Sequence, residues 1–373
     1  MEAYLEYSLL AFLLLFFLIQ LYYLLIVQRK LNLYVPEQEK INHDFKVSVV
    51  ICARNESKNL QENLPLIFQQ RGIDFEVVVV NDCSFDNSEE VLRDFKAQYA
   101  NLKVVTKEEH ALYKTGKKFA MTLGIKAASN EILVFTDADC KPVSEEWLST
   151  MCSSYRNPDT EIVLGYSPYE KKKGLLNWLI RYETFQTALN YFSFALNGMP
   201  YMGVGRNLSY KKSLFFKNKG FASHMHIPSG DDDLFVNQNA SSYNTAIEIR
   251  EQSHIYSAPK TTWKSYWIQK IRHFGAGTAY KKAHKFQLSL QGTSAIGFYI
   301  FLVVCLSFKI QWPYVLGIFF IRFLLQTLVY KKSLTILRCK DLVWSLLFLD
   351  LFYYLFLMFI SFRRLFRKKV SWK

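Results

Sequence analysis

From Tyr4 to Val27 the chain is an almost unbroken apolar run, interrupted by Glu6 and Gln20 and followed at once by Arg29 and Lys30. Roughly 20 apolar residues suffice to cross the hydrocarbon core of a bilayer. The run is too long for the apolar core of a signal peptide, and no small-residue cleavage pattern follows it. Residues 1–30 therefore read as a retained transmembrane anchor. Apolar stretches return at 294–308, 314–329 and 342–362, giving a C-terminal membrane region, 290–362, of two or three apolar segments, and then a basic tail, 363–373. Between anchor and C-terminal region, residues 45–285 have the composition of a globular domain.

Positive charge gathers beside the apolar runs: Arg29 and Lys30, Lys281, Lys282 and Lys285, Lys331 and Lys332, and the stretch from Arg363 to Lys369. Basic flanks face the cytoplasm, which places the globular domain inside. Four complete spans would put the last cluster outside. Either the final stretch, with Asp350 near its centre, re-enters, or one run does not cross. Attraction of these flanks to anionic lipid accounts for much of the net charge of +14, so no nucleic-acid partner is expected. The six cysteines have neither metal-ligand nor disulfide-framework spacing and read as small, reduced, buried hydrophobes.

Inside the globular domain, KVSVVIC at 46–52, FEVVVV at 75–80 and EILVF at 131–135 are short β-branched runs, the pattern of strands buried on both faces of a parallel sheet. Helical patterns at 57–70, 88–99 and 117–128 separate them. Successive strand–helix–strand units predict a doubly wound α/β domain, mostly parallel, with ligands gathered at the carboxyl ends of the strands. The polar residues fall at those ends: Ala53, Arg54 and Glu56 after the first strand, Asp82 after the second, Asp137 and Asp139 after the third. Side chains two apart in a strand share a face, so Asp137 and Asp139 can aim at one hard cation, Mg2+ or Mn2+.

Further along, Gly230 is followed by Asp231, Asp232 and Asp233. Helix capping explains one such carboxylate. Three adjacent ones repel each other and raise the proton affinity of at least one, as a general base near neutral pH requires. The loop Gly203–Val204–Gly205–Arg206–Asn207 has glycines that let backbone come close to a ligand. At helical spacing, Gln269, Arg272 and His273 share one face, while Trp263, Trp267, Ile271 and Phe274 share the other, suited to a membrane interface. An apolar stripe from Leu175 to Leu196 reads as core packing, with a lipid-facing surface as the alternative.

Taken in order, VSVVICARNES, VVVNDCSFDNS, GKKFAMTLGI, FTDADC, GVGRNLSYKK, GDDDLF and QKIRH resemble the inverting glycosyltransferases of family 2, of GT-A fold, and in layout their membrane-integrated bacterial members. The resemblance implies an inner-membrane enzyme with its catalytic domain in the cytoplasm. It implies that Glu56, Asp82, Lys117 and Asp137, with Ala53 and Arg54 beside them, bind a UDP-linked sugar, and that Asp139 with Asp137 holds the metal. Asp232, with Asp231 next, is then the base. Gly205, Arg206, Asn207, Gln269, Arg272 and His273 line the diphosphate and acceptor side. His273 stands where the family has Trp, which puts processive polymerisation in doubt. The expected reaction is metal-dependent transfer to a lipid-linked or membrane-proximal hydroxyl. A processive, exporting polysaccharide synthase and a catalytically inactive nucleotide-sugar-binding scaffold are the competing readings.

Overall fold

A computed structural model describes residues 2–36, 44–108, 116–227, 229–273 and 275–365. The chain divides into two compact units: Met1–Tyr34, Lys173–Asn197 and Lys281–Lys369 in one, Val35–Lys172 and Gly198–Tyr280 in the other.

The second unit is built on a seven-stranded sheet of order β3-β2-β1-β4-β7-β6-β8. Its strands are β1 (Lys46–Ala53), β2 (Asp74–Asp82), β3 (Leu102–Lys107), β4 (Ile132–Asp137), β6 (Ile162–Leu164), β7 (Leu208–Lys211) and β8 (Thr245–Ile247), while β5 (Cys140–Pro142) pairs separately with β9 (Ile255–Ser257). The first four are mutually parallel, with Val50 opposite Val78 on one side and Phe135 on the other. Val47, Val49, Val50 and the run Val77–Val80 are fully buried, and each such side chain contributes about 1.5–3 kcal/mol. The intervening helices run Ser57–Phe68, Ser88–Gln98 and Lys117–Ala127. Gly124 lets the last of these lie against the sheet: a Cβ there would come within 2.7 Å of Val50 and 2.9 Å of Val80. Because β1 is followed on one side by β2 and on the other by β4, the strand order reverses at β1, which opens a crevice at the carboxyl ends.

The other unit is helical. Among the described residues, four helices are long and apolar enough to cross a membrane: Tyr4–Leu33, Lys282–Ser307, Trp312–Ile336 and Lys340–Ile360. The stripe from Leu175 belongs here, on the helix Leu175–Leu196, where Leu179, Tyr182, Phe185, Leu189 and Phe192 are all fully buried. Asp350 is also buried inside this unit. Its carboxylate meets Arg322 at 3.2 Å and accepts hydrogen bonds from Gln326 at 2.8 Å, Tyr182 at 3.0 Å and Tyr299 at 2.6 Å. The charge is compensated within the bundle, so it does not argue against a spanning helix. Removing one partner of a buried pair leaves an uncompensated charge. Arg322→Leu is expected to lower stability by about 3–5 kcal/mol, and Arg322→Leu with Asp350→Leu to recover most of that. Thermal unfolding in detergent checks it; equal midpoints for wild type and the single variant would contradict the pairing.

Candidate active site

Four loops meet at the crevice. The first follows β1, where Asn55 takes a left-handed conformation (φ 57°) and its side chain accepts a hydrogen bond from the Phe85 N–H at 2.8 Å. Asp86 accepts from the Ser57 N–H at 3.0 Å and from the Ser88 hydroxyl, so the loops after β1 and β2 are tied together. Arg54 and Glu56 stand on this tied edge, both partly exposed. Asp82 is buried and paired with Lys107 at 2.6 Å.

The third loop follows β4. The strand ends at Asp137, and Ala138 with Asp139 forms the turn into β5, so the two carboxylates are related by a turn rather than by strand alternation. Asn63, reaching from the helix after β1, donates to the Ala138 carbonyl at 2.7 Å and fixes that turn. Burial and the charge of Asp137 raise the pKa of Asp139 above the usual carboxylate range. Its oxygens are met by the Ser257 hydroxyl at 3.4 Å and the Cys140 thiol at 3.5 Å. Burial, then the hydrogen bond that Asn59 gives it, then the charges of Asp139 and Asp137 act on Glu56, with a net upward shift.

The acidic triplet supplies the fourth loop. Asp232 caps the helix Asp233–Asn239, accepting from the Asp233 N–H at 2.8 Å and from the Gly205 N–H at 2.7 Å. A Cβ on Gly205 would sit 3.2 Å from the Asp232 side chain, so this glycine admits close approach of backbone to a carboxylate. Burial and then Asp231 raise the pKa of Asp232, against the pull of Lys117 and of these two N–H groups. Asp233 accepts from the Tyr280 hydroxyl at 2.7 Å. Just upstream, Lys118 donates to the carbonyls of His224 at 2.6 Å and Ile227 at 3.0 Å.

Lys117 joins the halves. Its ammonium lies 2.9 Å from Asp137 and 3.3 Å from Asp231. Burial alone would weaken its hold on the proton, but Asp137, Asp231 and Asp232 reverse that and raise its pKa well above the lysine norm. Asp137 is correspondingly held below the carboxylate norm: burial opposes this, while Lys117, then Arg206 and Arg272, outweigh it.

Other expected site residues have different places. Asn207 is fully buried; its amide donates to the Tyr166 and Ser253 carbonyls and accepts from the Trp147 indole at 3.0 Å. It braces the loop and has no face toward the crevice. Gln269 donates to the Tyr169 hydroxyl at 3.2 Å, and Arg272 is exposed on the same helix, Trp263–His273. The buried anchor of that helix is Tyr266, while Trp263 and Ile268 face outward. The side chain of His273, Phe274 and the residues after Leu365 lie outside the described ones. Tyr169, Lys118, Tyr280 and Ser257 were not singled out from the sequence; of these, only Lys118, beside Lys117 in GKK, stood next to a recognised signal.

Asp137 and Asp139 are the groups able to hold a hard divalent ion. No cluster of three or more His, Cys, Asp or Glu suited to a metal occurs among the described residues. Two carboxylates suit an ion that completes its shell with substrate phosphate, as Mg2+ does.

Residues 48–215 match the family model for glycosyl transferase family 2. Among curated proteins the chain is 33% identical over 121 residues to glycosyltransferase AglE of Haloferax volcanii, covering 32% of this chain and 38% of that one. It is 24% identical over 254 residues to the poly-beta-1,6-N-acetyl-D-glucosamine synthase of Staphylococcus epidermidis, covering 68% and 59%. In both cases the match spans less than two thirds of the relative. A mannosyltransferase from Pyrobaculum calidifontis, solved in complex with GDP-Man and Mn2+, superposes with a TM-score of 0.60 at 18% identity, over 93% of this chain and 99% of that one. That likeness shows the fold, a GT-A arrangement. Residues 48–215 therefore form a glycosyl transferase family 2 domain, carried in a chain with four described helices long and apolar enough to cross a membrane.

Proposed function

We propose that the chain transfers a sugar, with inversion, from a nucleotide-sugar donor to a hydroxyl of a lipid-linked or membrane-proximal acceptor. The observation that carries this reading is Lys117 bridging Asp137 and Asp231, which brings a donor-side acid and the base-side acids into one crevice. A divalent ion held by Asp139 and Asp137 would supply Lewis acidity at the donor diphosphate. Glu56 and Asp82 lie at the strand ends where the nucleoside binds in this reading, and Lys117, Arg206 and Arg272 offset the negative charge of the leaving group. Asp232, half-buried and of raised proton affinity, takes the proton of the attacking hydroxyl as the new bond to the anomeric carbon forms and the bond to the diphosphate breaks.

The donor is read as UDP-linked; the GDP-Man bound by the mannosyltransferase makes a guanosine donor the comparison to run. Membranes containing the protein, given Mn2+ and a panel of radiolabelled UDP- and GDP-sugars, should pass label from one sugar into the lipid extract, and chelation should stop it. Absence of transfer from every donor would overturn the reading. The aligned poly-beta-1,6-N-acetyl-D-glucosamine synthase favours a second reading, repeated addition. A product ladder would support it; a single added sugar would support the first.

A further inference from the structure

The segment Ser167–Glu170 runs alongside β9 at the edge of the crevice. Tyr169 forms a parallel bridge with Ser257; the Ser257 N–H donates to the Pro168 carbonyl at 3.1 Å and the Glu170 N–H to the Ser257 carbonyl at 3.1 Å. The same Ser257 places its hydroxyl on Asp139. The backbone position of Tyr169 is thus fixed relative to the Asp137–Asp139 turn.

On this shelf lies Arg206. Its guanidinium stacks over the Tyr169 ring, 4.3 Å from the centroid, and Nη2 donates to the Ser167 carbonyl at 3.2 Å. Nη1 is buried and has no hydrogen-bond partner. A buried, unsatisfied N–H is costly, and more so on a charged group. Stacking on an aromatic face offsets part of that cost and sets the plane of the guanidinium. The carboxylates of Asp137 and Asp139 are close enough to act on its charge: burial weakens its hold on the proton, and Tyr169, Cys140, Asp137 and Asp139 more than restore it. Neither carboxylate hydrogen-bonds it. Gln269 donates to the Tyr169 hydroxyl, so the helix Trp263–His273 is coupled to the same platform.

We propose that Tyr169 is a positioning residue that holds Arg206 with its free edge presented to a phosphate group, and that this edge is a phosphate-recognition element of the crevice. The planar fork of Arg suits phosphate, and one locked plane suits it better than a mobile one. The inference rests on the transfer reading above and adds a residue to it. Two sources offer this chemistry, the diphosphate of the donor and a phosphate on the acceptor.

The test uses the full-length protein in detergent and three variants, Tyr169→Leu, Tyr169→Phe and Arg206→Lys. Affinity for the nucleoside diphosphate with Mn2+ is measured by calorimetry, and the KM for a phosphate-bearing lipid acceptor in a transfer assay. Tyr169→Leu is expected to weaken one of these by about tenfold, in line with a desolvated cation–π contact plus lost orientation. Arg206→Lys, which keeps the charge but loses the fork, should match or exceed that loss. Tyr169→Phe keeps the face and should recover most of it. A loss in diphosphate affinity assigns the edge to the donor; a loss confined to acceptor KM assigns it to the acceptor. A purely structural role would lower the melting temperature and leave both constants unmoved. Unchanged constants in Tyr169→Leu overturn the proposal, whereas a wild-type protein that neither binds a nucleoside diphosphate nor transfers sugar overturns the reading beneath it.

Discussion

Replacing Asp139 by Asn is expected to abolish Mn2+-dependent donor binding and to cut sugar transfer by roughly 1000-fold. A metal contributes several kcal/mol of charge stabilisation to a departing diphosphate, and each 1.4 kcal/mol or so is a factor of ten. Asp139 is a half-buried carboxylate whose neighbours, a hydroxyl at 3.4 Å and a thiol at 3.5 Å, are weak partners for an anion. Its raised pKa, from burial and from Asp137, expresses the same shortage of positive charge. An arriving cation relieves it, and the neutral amide has nothing to relieve. Calorimetry with the nucleotide sugar, with and without Mn2+, is the direct measurement. An Asn variant that binds donor as tightly as wild type, and with the same metal dependence, removes Asp139 from the metal site.

The second large effect is expected at Asp232. Asp232→Asn should lower kcat by about 10²- to 10⁴-fold, the usual contribution of a positioned base, while donor affinity stays within a few-fold. The side chain sits where Gly205 brings the glycine loop against the acidic loop, so the carboxylate is fixed before the acceptor arrives. Its proton affinity is raised by burial and by Asp231. Activity should therefore fall as pH drops through a value above the ordinary carboxylate range, and that acid limb should vanish in the variant's residual rate. Asp231→Asn separates the roles. It removes a partner of Lys117, so it should change donor affinity more than Asp232→Asn does. Should Asp232→Asn turn over normally while Asp231→Asn is dead, the base is Asp231.

Much of this architecture could be read from the chain before any coordinates. The three β-branched runs became β1, β2 and β4 because a strand buried on both faces has no polar positions to blur it. The helices between them begin at Ser57, Ser88 and Lys117, as their patterns predicted. β3 was missed: Leu102–Lys107 lies at the sheet edge with only its end residues buried, and a six-residue edge strand carrying two lysines gives little hydrophobic signal. β5 and β9, three residues each, exist through pairing partners more than a hundred residues apart, which no local pattern encodes. The same limit explains the site. Acids at strand ends announce themselves by being out of place, whereas Tyr169 and Tyr280 act through contacts that only the folded chain creates. Asn207 shows the converse, a polar residue inside a suggestive motif whose amide is wholly engaged in bracing Trp147, Tyr166 and Ser253.

In the resting crevice the ammonium of Lys117 is one positive group shared by acids from two separate loops. A nucleoside diphosphate entering alone would confront those acids with more negative charge. A divalent ion entering alone would have to compete with the lysine. On the proposed reading the two would nearly cancel on entering together, and the lysine could exchange one of its acids for a phosphate oxygen. Loading would then be a swap of counterions in which donor and metal travel as one, and release of the spent nucleotide the same swap run backwards.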